Sequence, residues 1–384
     1  MQDTILINGG GIGGLCTAIA LHKKGYPVHV FEKAAPLRAL GAGLVLAANA
    51  MKALDEIGIG DAVRKIGREI ERMELKDQNG LAISGSDFSI LGAYGKSYAV
   101  HRAELHETLI RLLPEGILSE GMAGASFTTD QNGVCLEMLD GRTSHGQLLI
   151  AADGIHSPIR KTLLPNSQAR YAGYTCWRAV IQLPAGQTFL QESSESWGSN
   201  GRFGLVPLTG NRIYWFATHN APANSPEMAA IKVADLQALF ADYHAPIPEV
   251  LSMTKDEDLL WHDILDIAPI DRFSFPGVVL LGDAAHATTP NMGQGACMAI
   301  EDAATIANCL TQYGLTEGPR RFEALRLRRT HRIVRQSWQF GKMSQMESKW
   351  LSAIRNQLLR LTPERMAQQQ LRWLFQVDLG SEIQ

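Results

Sequence analysis

Thr4–Gly14 reads TILINGGGIGG, and Leu15–Lys24 continues as LCTAIALHKK. The first five residues form a short apolar run of the kind that makes a buried strand. The glycines then spell G-x-G-x-x-G at Gly9, Gly11 and Gly14, and apolar residues recur at helical spacing through Leu15, Ile19 and Leu21. Strand, glycine turn and helix in that order give the glycines their meaning. Gly9 permits the tight turn, Gly11 lets a pyrophosphate approach the backbone, and Gly14 lets the helix lie close on the strand. Gly13 completes a loop whose free N–H groups sit at the positive end of a helix dipole and favour phosphate. After Gly25 a second strand, Val28–Phe31, ends on Glu32. A carboxylate there, about 20 residues on, suits ribose hydroxyls and would repel a 2′-phosphate. These features together predict a dinucleotide site and leave NAD and FAD both open. Asn8 stands out, because the last position of such a strand is usually apolar.

Two more strand ends narrow the choice. Leu148–Ala152 (LLIAA) runs into Asp153-Gly154-Ile155-His156-Ser157-Pro158-Ile159-Arg160. Gly277–Leu281 (GVVLL) runs into Gly282-Asp283-Ala284-Ala285-His286, then Pro290-Asn291-Met292-Gly293-Gln294-Gly295 and an apolar helix over Ala296–Leu310. Each sets a carboxylate beside a glycine on the carboxyl end of a buried strand, where open α/β sheets bind ligands. Such carboxylates can accept hydrogen bonds from sugar or ribityl hydroxyls, which a plain NAD half-site would not need.

The glycine motif ending at Gly14, the DG pair at Asp153-Gly154 and the GD pair at Gly282-Asp283 resemble the three fingerprints of single-component flavoprotein aromatic hydroxylases, the family typified by p-hydroxybenzoate hydroxylase. Gly41-Ala42-Gly43 and His101-Arg102 also look like family positions, and the likeness runs from Ile5 to about Arg335. It implies FAD as the cofactor, with Glu32 on the adenosine ribose, Arg102 near the phosphates or ribityl chain, Asp153-Gly154 organising the dinucleotide, and Asp283, after Gly282, on a ribityl hydroxyl. It also implies that Pro290, Gly293, Gln294 and Gly295 run along the flavin, where backbone donors and a helix dipole would stabilise the anionic reduced ring. Lys33 and Arg38 are further carry-overs, for each of which a solvated surface charge is the alternative. The implied fold is α/β: a Rossmann-like FAD-binding domain with a mixed parallel sheet (1–69, 98–166 and 272–340), an antiparallel-sheet substrate domain (70–97 and 167–271) and a C-terminal helical segment (341–384).

The sequence holds one dinucleotide fingerprint and no CxxxxC dithiol, which turns the reading away from disulfide reductases and enzymes with a permanent NADPH domain. The resemblance then implies a monooxygenase: NADH or NADPH reduces the flavin transiently, and O2 forms a C4a-hydroperoxide that hydroxylates an aromatic substrate. An epoxidase or antibiotic-inactivating monooxygenase on the same scaffold is the alternative, as is a flavin-binding protein that only sequesters an intermediate. No HExxH or H-x-H metal pattern occurs, so no metal is expected. His286 and His101 read as structural rather than catalytic.

Between the fingerprints, Tyr174–Leu183, Arg202–Pro207 and Arg212–Thr218 are rich in aromatic and β-branched residues and are separated by turn signals, which predicts antiparallel strands. The alternation sets Arg202 and Tyr214 on strands joined by a tight turn, facing one another as substrate-positioning candidates; for Arg202 a strand-surface cation is the alternative. Trp177 and Trp215 read as core. Arg170–Tyr174, Arg202 and Tyr214 look like FAD-dependent urate hydroxylases, whereas Thr175–Arg178, Ser196–Gly198 and Gln336–Trp338 look like alkyl-quinolone 3-monooxygenases. Asn291 stands where the urate-like proteins have Asp. Both likenesses imply a nitrogen-containing aromatic ring.

With 36 Lys and Arg against 39 Asp and Glu, the formal charge of −3 excludes a generally basic protein, and nucleic acid is not an expected partner. The basic run Pro319–Arg335 interleaves Phe322, Leu325, Leu327, Ile333 and Val334 and predicts a helix with one buried stripe and a solvated basic face. No segment approaches the roughly 18 apolar residues of a membrane span. Five scattered cysteines fit free thiols in a reducing cytoplasm. The tail Glu347–Phe375 places apolar residues at helical spacing around Pro363, predicting a helical segment that packs on the FAD domain or on a second copy; membrane association is not expected, and the chain is taken as a monomer or homodimer.

Overall fold

The computed structural model describes residues 4–36, 42–88, 92, 94–187 and 192–381. Its first element is the expected one: Ile5–Asn8 is a strand with every residue buried, and Ile12–Lys23 is the helix that follows. The strand pairs in parallel with Val28–Glu32 on one side and Leu148–Ala151 on the other. Val278–Leu280 and Leu118–Glu120 extend this into a six-stranded sheet, with Ser274–Phe275 as an antiparallel edge. Its central strands, Ile5–Asn8, Leu148–Ala151 and Val278–Leu280, are buried along their whole length and almost wholly apolar, the burial that parallel sheets require.

The second layer is a seven-stranded sheet in the order Leu260–Ile267, Ala169–Gln182, Arg212–Asn220, Gly201–Leu208, Ser193–Gly198, Arg72–Asp77, Ala82–Asp87. All neighbours are antiparallel except Ser193–Gly198 with Arg72–Asp77. Period-two alternation divides its residues between two faces. One face carries Trp177, Phe203 and Trp215, fully buried under short helices that contribute Leu236, Phe240, Ile247 and Leu251. The core reading of the two tryptophans holds. The opposite face carries Tyr174, Cys176, Arg178, Arg202, Tyr214 and Thr218, and it contacts the flavin-fingerprint side.

The helix expected over Ala296–Leu310 is much longer. Gly295–Ser344 runs as helix with a break at Gly314, whose φ of 69° and ψ of −178° are open to glycine. The chain reverses there, so that Arg326 on the second limb donates to the Met298 carbonyl on the first at 3.2 Å. The basic run is helical, with Phe322, Ile333 and Val334 of its apolar stripe buried and Leu325 and Leu327 partly so, but its basic face is not wholly solvated. Arg326 is fully buried, pairing with Glu301 at 2.6 Å and Asp302 at 2.7 Å, and Arg329 pairs with Glu301 at 2.7 Å. Both carboxylates are buried on the first limb, which is why neither arginine reads as interior from its own stretch.

The tail forms helices Lys349–Arg360 and Glu364–Phe375. Leu374, Phe375, Val377 and Leu379 join the main core, while Trp350, Leu358 and Met366 lie exposed. Among the described residues no helix is long and apolar enough to cross a membrane.

Candidate active site

Four parallel strands deliver their carboxyl ends to one edge of the six-stranded sheet, and the fingerprint residues lie just beyond them. Gly9 takes φ 113°, and a Cβ there or at Gly14 would strike backbone, so both glycines are required by packing alone. At Gly11, Gly154 and Gly293, by contrast, a Cβ would meet nothing within 4 Å. Glu32 is buried and accepts from the Gly10 N–H at 2.7 Å and the Ala34 N–H at 2.9 Å. Lys33 and Arg102 stand exposed, Arg102 opening the helix Arg102–Leu112. Arg38 and Gly41 lie outside the described residues.

Asn8 now has its explanation. Its amide donates to Asp153 Oδ2 at 3.2 Å and to the Gly124 carbonyl at 3.3 Å, and accepts from the Gly124 N–H at 3.2 Å. An apolar residue would leave these groups unpaired. The other carboxyl oxygen of Asp153 is buried with no hydrogen-bond partner. Burial pushes this carboxyl up to about 6, and the Ser157 hydrogen bond and the Arg160 charge offset that only in part. Arg160 is fully buried and joins the second and third fingerprints: it donates to the Ala284 carbonyl at 3.1 Å and the Asp283 carbonyl at 3.4 Å, and to the Ile155 carbonyl. Asp283 itself is exposed at the start of the one-turn helix Asp283–His286.

Behind that turn, Asp302 accepts from the Gly282 N–H at 3.0 Å and from His286 Nε2 at 2.6 Å. Burial alone would raise the Asp302 carboxyl, but His286, Arg326 and these hydrogen bonds hold it at about 2. His286 therefore fixes the turn. Pro290–Met292 is a short 3-10 turn, Gly293 adopts the left-handed region at φ 63°, and Gly295 begins the long helix. The Gln294 side chain is turned inward, accepting from Asn49 Nδ2 at 2.9 Å.

Asn291 ties this loop to the sheet. Its Oδ1 accepts from Arg202 Nη2 at 2.8 Å and from the Tyr174 hydroxyl at 3.0 Å, while its Nδ2 donates to Thr289 Oγ1 and the Ser337 carbonyl, each at 2.9 Å. Arg202 is 2% exposed and also meets Glu195 at 3.1 Å and Thr218 Oγ1 at 3.2 Å. Tyr214 does not face it. Arg202 is opposite Thr218, whereas Tyr214 is opposite Val206, so the two share a sheet face two alternations apart. Tyr214 packs instead against Gly43, where a Cβ would collide with its ring. Burial raises its hydroxyl to about 12.

A family model described as FAD binding domain matches residues 2–337. The chain belongs to this FAD-binding family. It is 37% identical over 361 residues, 93% of this chain and 94% of the relative, to the aurachin C monooxygenase/isomerase of Stigmatella aurantiaca. It is 31% identical over 362 residues, 94% of each chain, to the 2-heptyl-3-hydroxy-4(1H)-quinolone synthase of Pseudomonas aeruginosa. HpxO of Klebsiella pneumoniae, solved with FAD and uric acid, superposes with a TM-score of 0.91 at 28% identity, covering 98% of both chains. The chain is thus an FAD-dependent monooxygenase.

The described residues fit the cofactor. Three glycines with open space, one buried carboxyl oxygen lacking a partner and an exposed Asp283 line the strand ends. Two residues at this edge and one on the seven-stranded sheet have roles that no local pattern signals. His106 donates from Nε2 to the Gly10 carbonyl at 2.8 Å, fixing the glycine loop from a helix 96 residues away. Asn49 bonds both Gln294 and Glu301. Arg170, half-exposed, pairs with the buried Asp266 at 2.6 Å and stacks over Trp338 at 3.9 Å. Of the three, only Arg170 falls within a stretch that resembles a known family.

Proposed function

We propose that this monooxygenase hydroxylates a nitrogen-containing aromatic ring of the quinolone kind, drawing electrons from NADH or NADPH and oxygen from O2. The observation that carries the choice of ring is Asn291, whose amide accepts from Arg202 and Tyr174 while donating to the Ser337 carbonyl and Thr289. An aspartate cannot donate to Ser337, and it would set a partly buried anion against a carbonyl oxygen. The loop is thus built around a neutral amide, which favours the quinolone likeness over the urate one.

In this reading Glu32 takes the adenosine ribose, and the Gly11 to Gly14 helix start takes the pyrophosphate. Asp153 orders the dinucleotide, and Asp283 accepts from a ribityl hydroxyl. The Gly293 N–H is taken by the Pro290 carbonyl at 2.9 Å, so the amides of Gln294 and Gly295, with the dipole of the long helix behind them, would hold the flavin ring system. FAD, held there, supplies electron transfer and oxygen activation. The sheet face around Arg202 and Tyr214 positions the substrate ring and keeps water out, and Arg202 couples that face to the flavin loop through Asn291. The setting proposed with this reading is a reducing cytoplasm, supported by the five free cysteines.

The purified protein should carry flavin absorbance, and 4-quinolones should accelerate NADH or NADPH oxidation while yielding a product heavier by one oxygen, labelled from 18O2. Acceleration by urate and not by quinolones would overturn the choice of ring. Tight ring binding without any stimulated reduction would make the protein a flavin-bound sequestering module instead. Asp283→Ala should lose about 10- to 100-fold in FAD affinity, the cost of a charged hydrogen bond, read by flavin retention on gel filtration; full retention would remove Asp283 from the site.

A further inference from the structure

The ring-facing side of the seven-stranded sheet carries two inward arginines with opposite surroundings. Arg202 is bonded to Glu195, Thr218 and Asn291. Arg178 lies on the next strand but one, opposite Phe216 on one side and Leu260 on the other. Its Nε is shut off from solvent with no hydrogen-bond partner, and among the described residues no carboxylate pairs with it. The Cys176 thiol lies in hydrogen-bond reach of it.

The groups around it do not supply the missing charge. Tyr214 sits one alternation along the same face, opposite Val180, and Cys176 and His262 occupy the adjoining pair in the other direction. His262 is held below the usual imidazole range, by burial first and then by the cations of Arg178 and Arg102. Both arginines also act on Tyr214. Two cations, a hydroxyl that stays protonated and a neutral imidazole thus converge with no anion among them. Arg178 is partly buried, and a guanidinium nitrogen sealed from water without a partner is costly, while the planar fork matches an anionic or enolised oxygen.

We propose that Arg178, with Tyr214 as a second donor, forms the subsite for a negatively charged or enolised ring oxygen of the substrate. This rests on the ring-hydroxylase reading above and adds to it which part of the ring is recognised. Arg202 then positions the flavin loop and Arg178 holds the substrate, so the two arginines divide the work.

The test uses the FAD-loaded full-length enzyme and two probes, 4-hydroxyquinoline and quinoline, with binding read from the perturbation of the flavin absorbance band. The wild type should prefer the oxygen-bearing ring by at least about tenfold, and Arg178→Gln should weaken 4-hydroxyquinoline about 10- to 100-fold, as expected for a lost charge-assisted hydrogen bond, while quinoline binds as before. Arg178→Lys should recover part of the loss for 4-hydroxyquinoline alone. Equal weakening of both rings in Arg178→Gln, or no preference in the wild type, overturns the subsite; the wild-type measurement decides even if the variant folds poorly. Binding is read without turnover, so the two readings fail separately. Rings that turn over with no dependence on Arg178 defeat the subsite alone, and selective binding with no oxygenated product defeats the hydroxylase reading alone.

Discussion

Behind the flavin loop, Arg326 and Arg329 meet Glu301 and Asp302, with His286 and Asn49 completing the hydrogen bonds. Across that loop, on the sheet face, Arg202 pairs with Glu195, and among the described residues no carboxylate pairs with Arg178. The first cluster is balanced and sealed. It fixes the two limbs of the long helix and the GD turn, since Asp302 reaches Gly282, His286 and Arg326 at once. The second keeps an excess of positive charge facing the place where a ring would lie. Buried charge that is balanced within the chain serves the fold, and a partly buried charge left unbalanced on a site face points to a ligand.

Replacing Arg326 by Met should break the balanced cluster, leaving Glu301 and Asp302 short of a cation at a cost of about 3–5 kcal/mol. Urea unfolding monitored by circular dichroism measures this, and a loss below about 1 kcal/mol would show that the cluster is not a structural keystone. Arg202→Met probes the other side. Glu195 would keep only the Trp197 Nε1 donor at 2.7 Å, and the expected loss is about 2–3 kcal/mol, accompanied by NADH oxidation that no longer yields hydroxylated product. Unchanged coupling of oxidation to product would detach Arg202 from the ring site. The smallest effect has the opposite sign. The folded Asp153 carboxyl sits at about 6 against an ordinary 3.8, so the folded state binds its proton more tightly and is penalised as pH rises from about 4 to about 6. Asp153→Asn should therefore stabilise the flavin-free protein at pH 7 by about 1–2 kcal/mol, reduced because water reaches part of the residue, with the gain vanishing below about pH 4. A gain that persists in acid would contradict this origin.

The same contrast divides what could be read in the sequence. Gly9, Gly14 and the strand-end pairs at Asp153 and Asp283 were legible because their constraint is local: a turn, a close approach, a carboxylate placed by its own strand. Asn8 was visible only as an oddity, since its partner Gly124 is 116 residues away. Arg326 and Arg329 read as solvated because their carboxylates sit on the other limb of a helix whose reversal at Gly314 carries no strong signal. The facing of Arg202 and Tyr214 was misjudged because register depends on the whole ladder and not on the turn. In the sequence Arg178 is one residue of a family-like stretch and carries no signal of its own. Its meaning comes from what fails to surround it, and no pattern along the chain encodes an absence.

The reversal at Gly314 brings the second limb back across the flavin loop, where Gly341 lies so close to Asn291 that a Cβ would come within about 2.5 Å of its amide nitrogen. There is no clearance at that crossing. A single methyl added at 341 would act as a wedge, levering Asn291 off Arg202 and Tyr174 and loosening the joint between sheet and cofactor loop. The tolerance of the active site is thus machined into a helix about fifty residues downstream of the loop it holds.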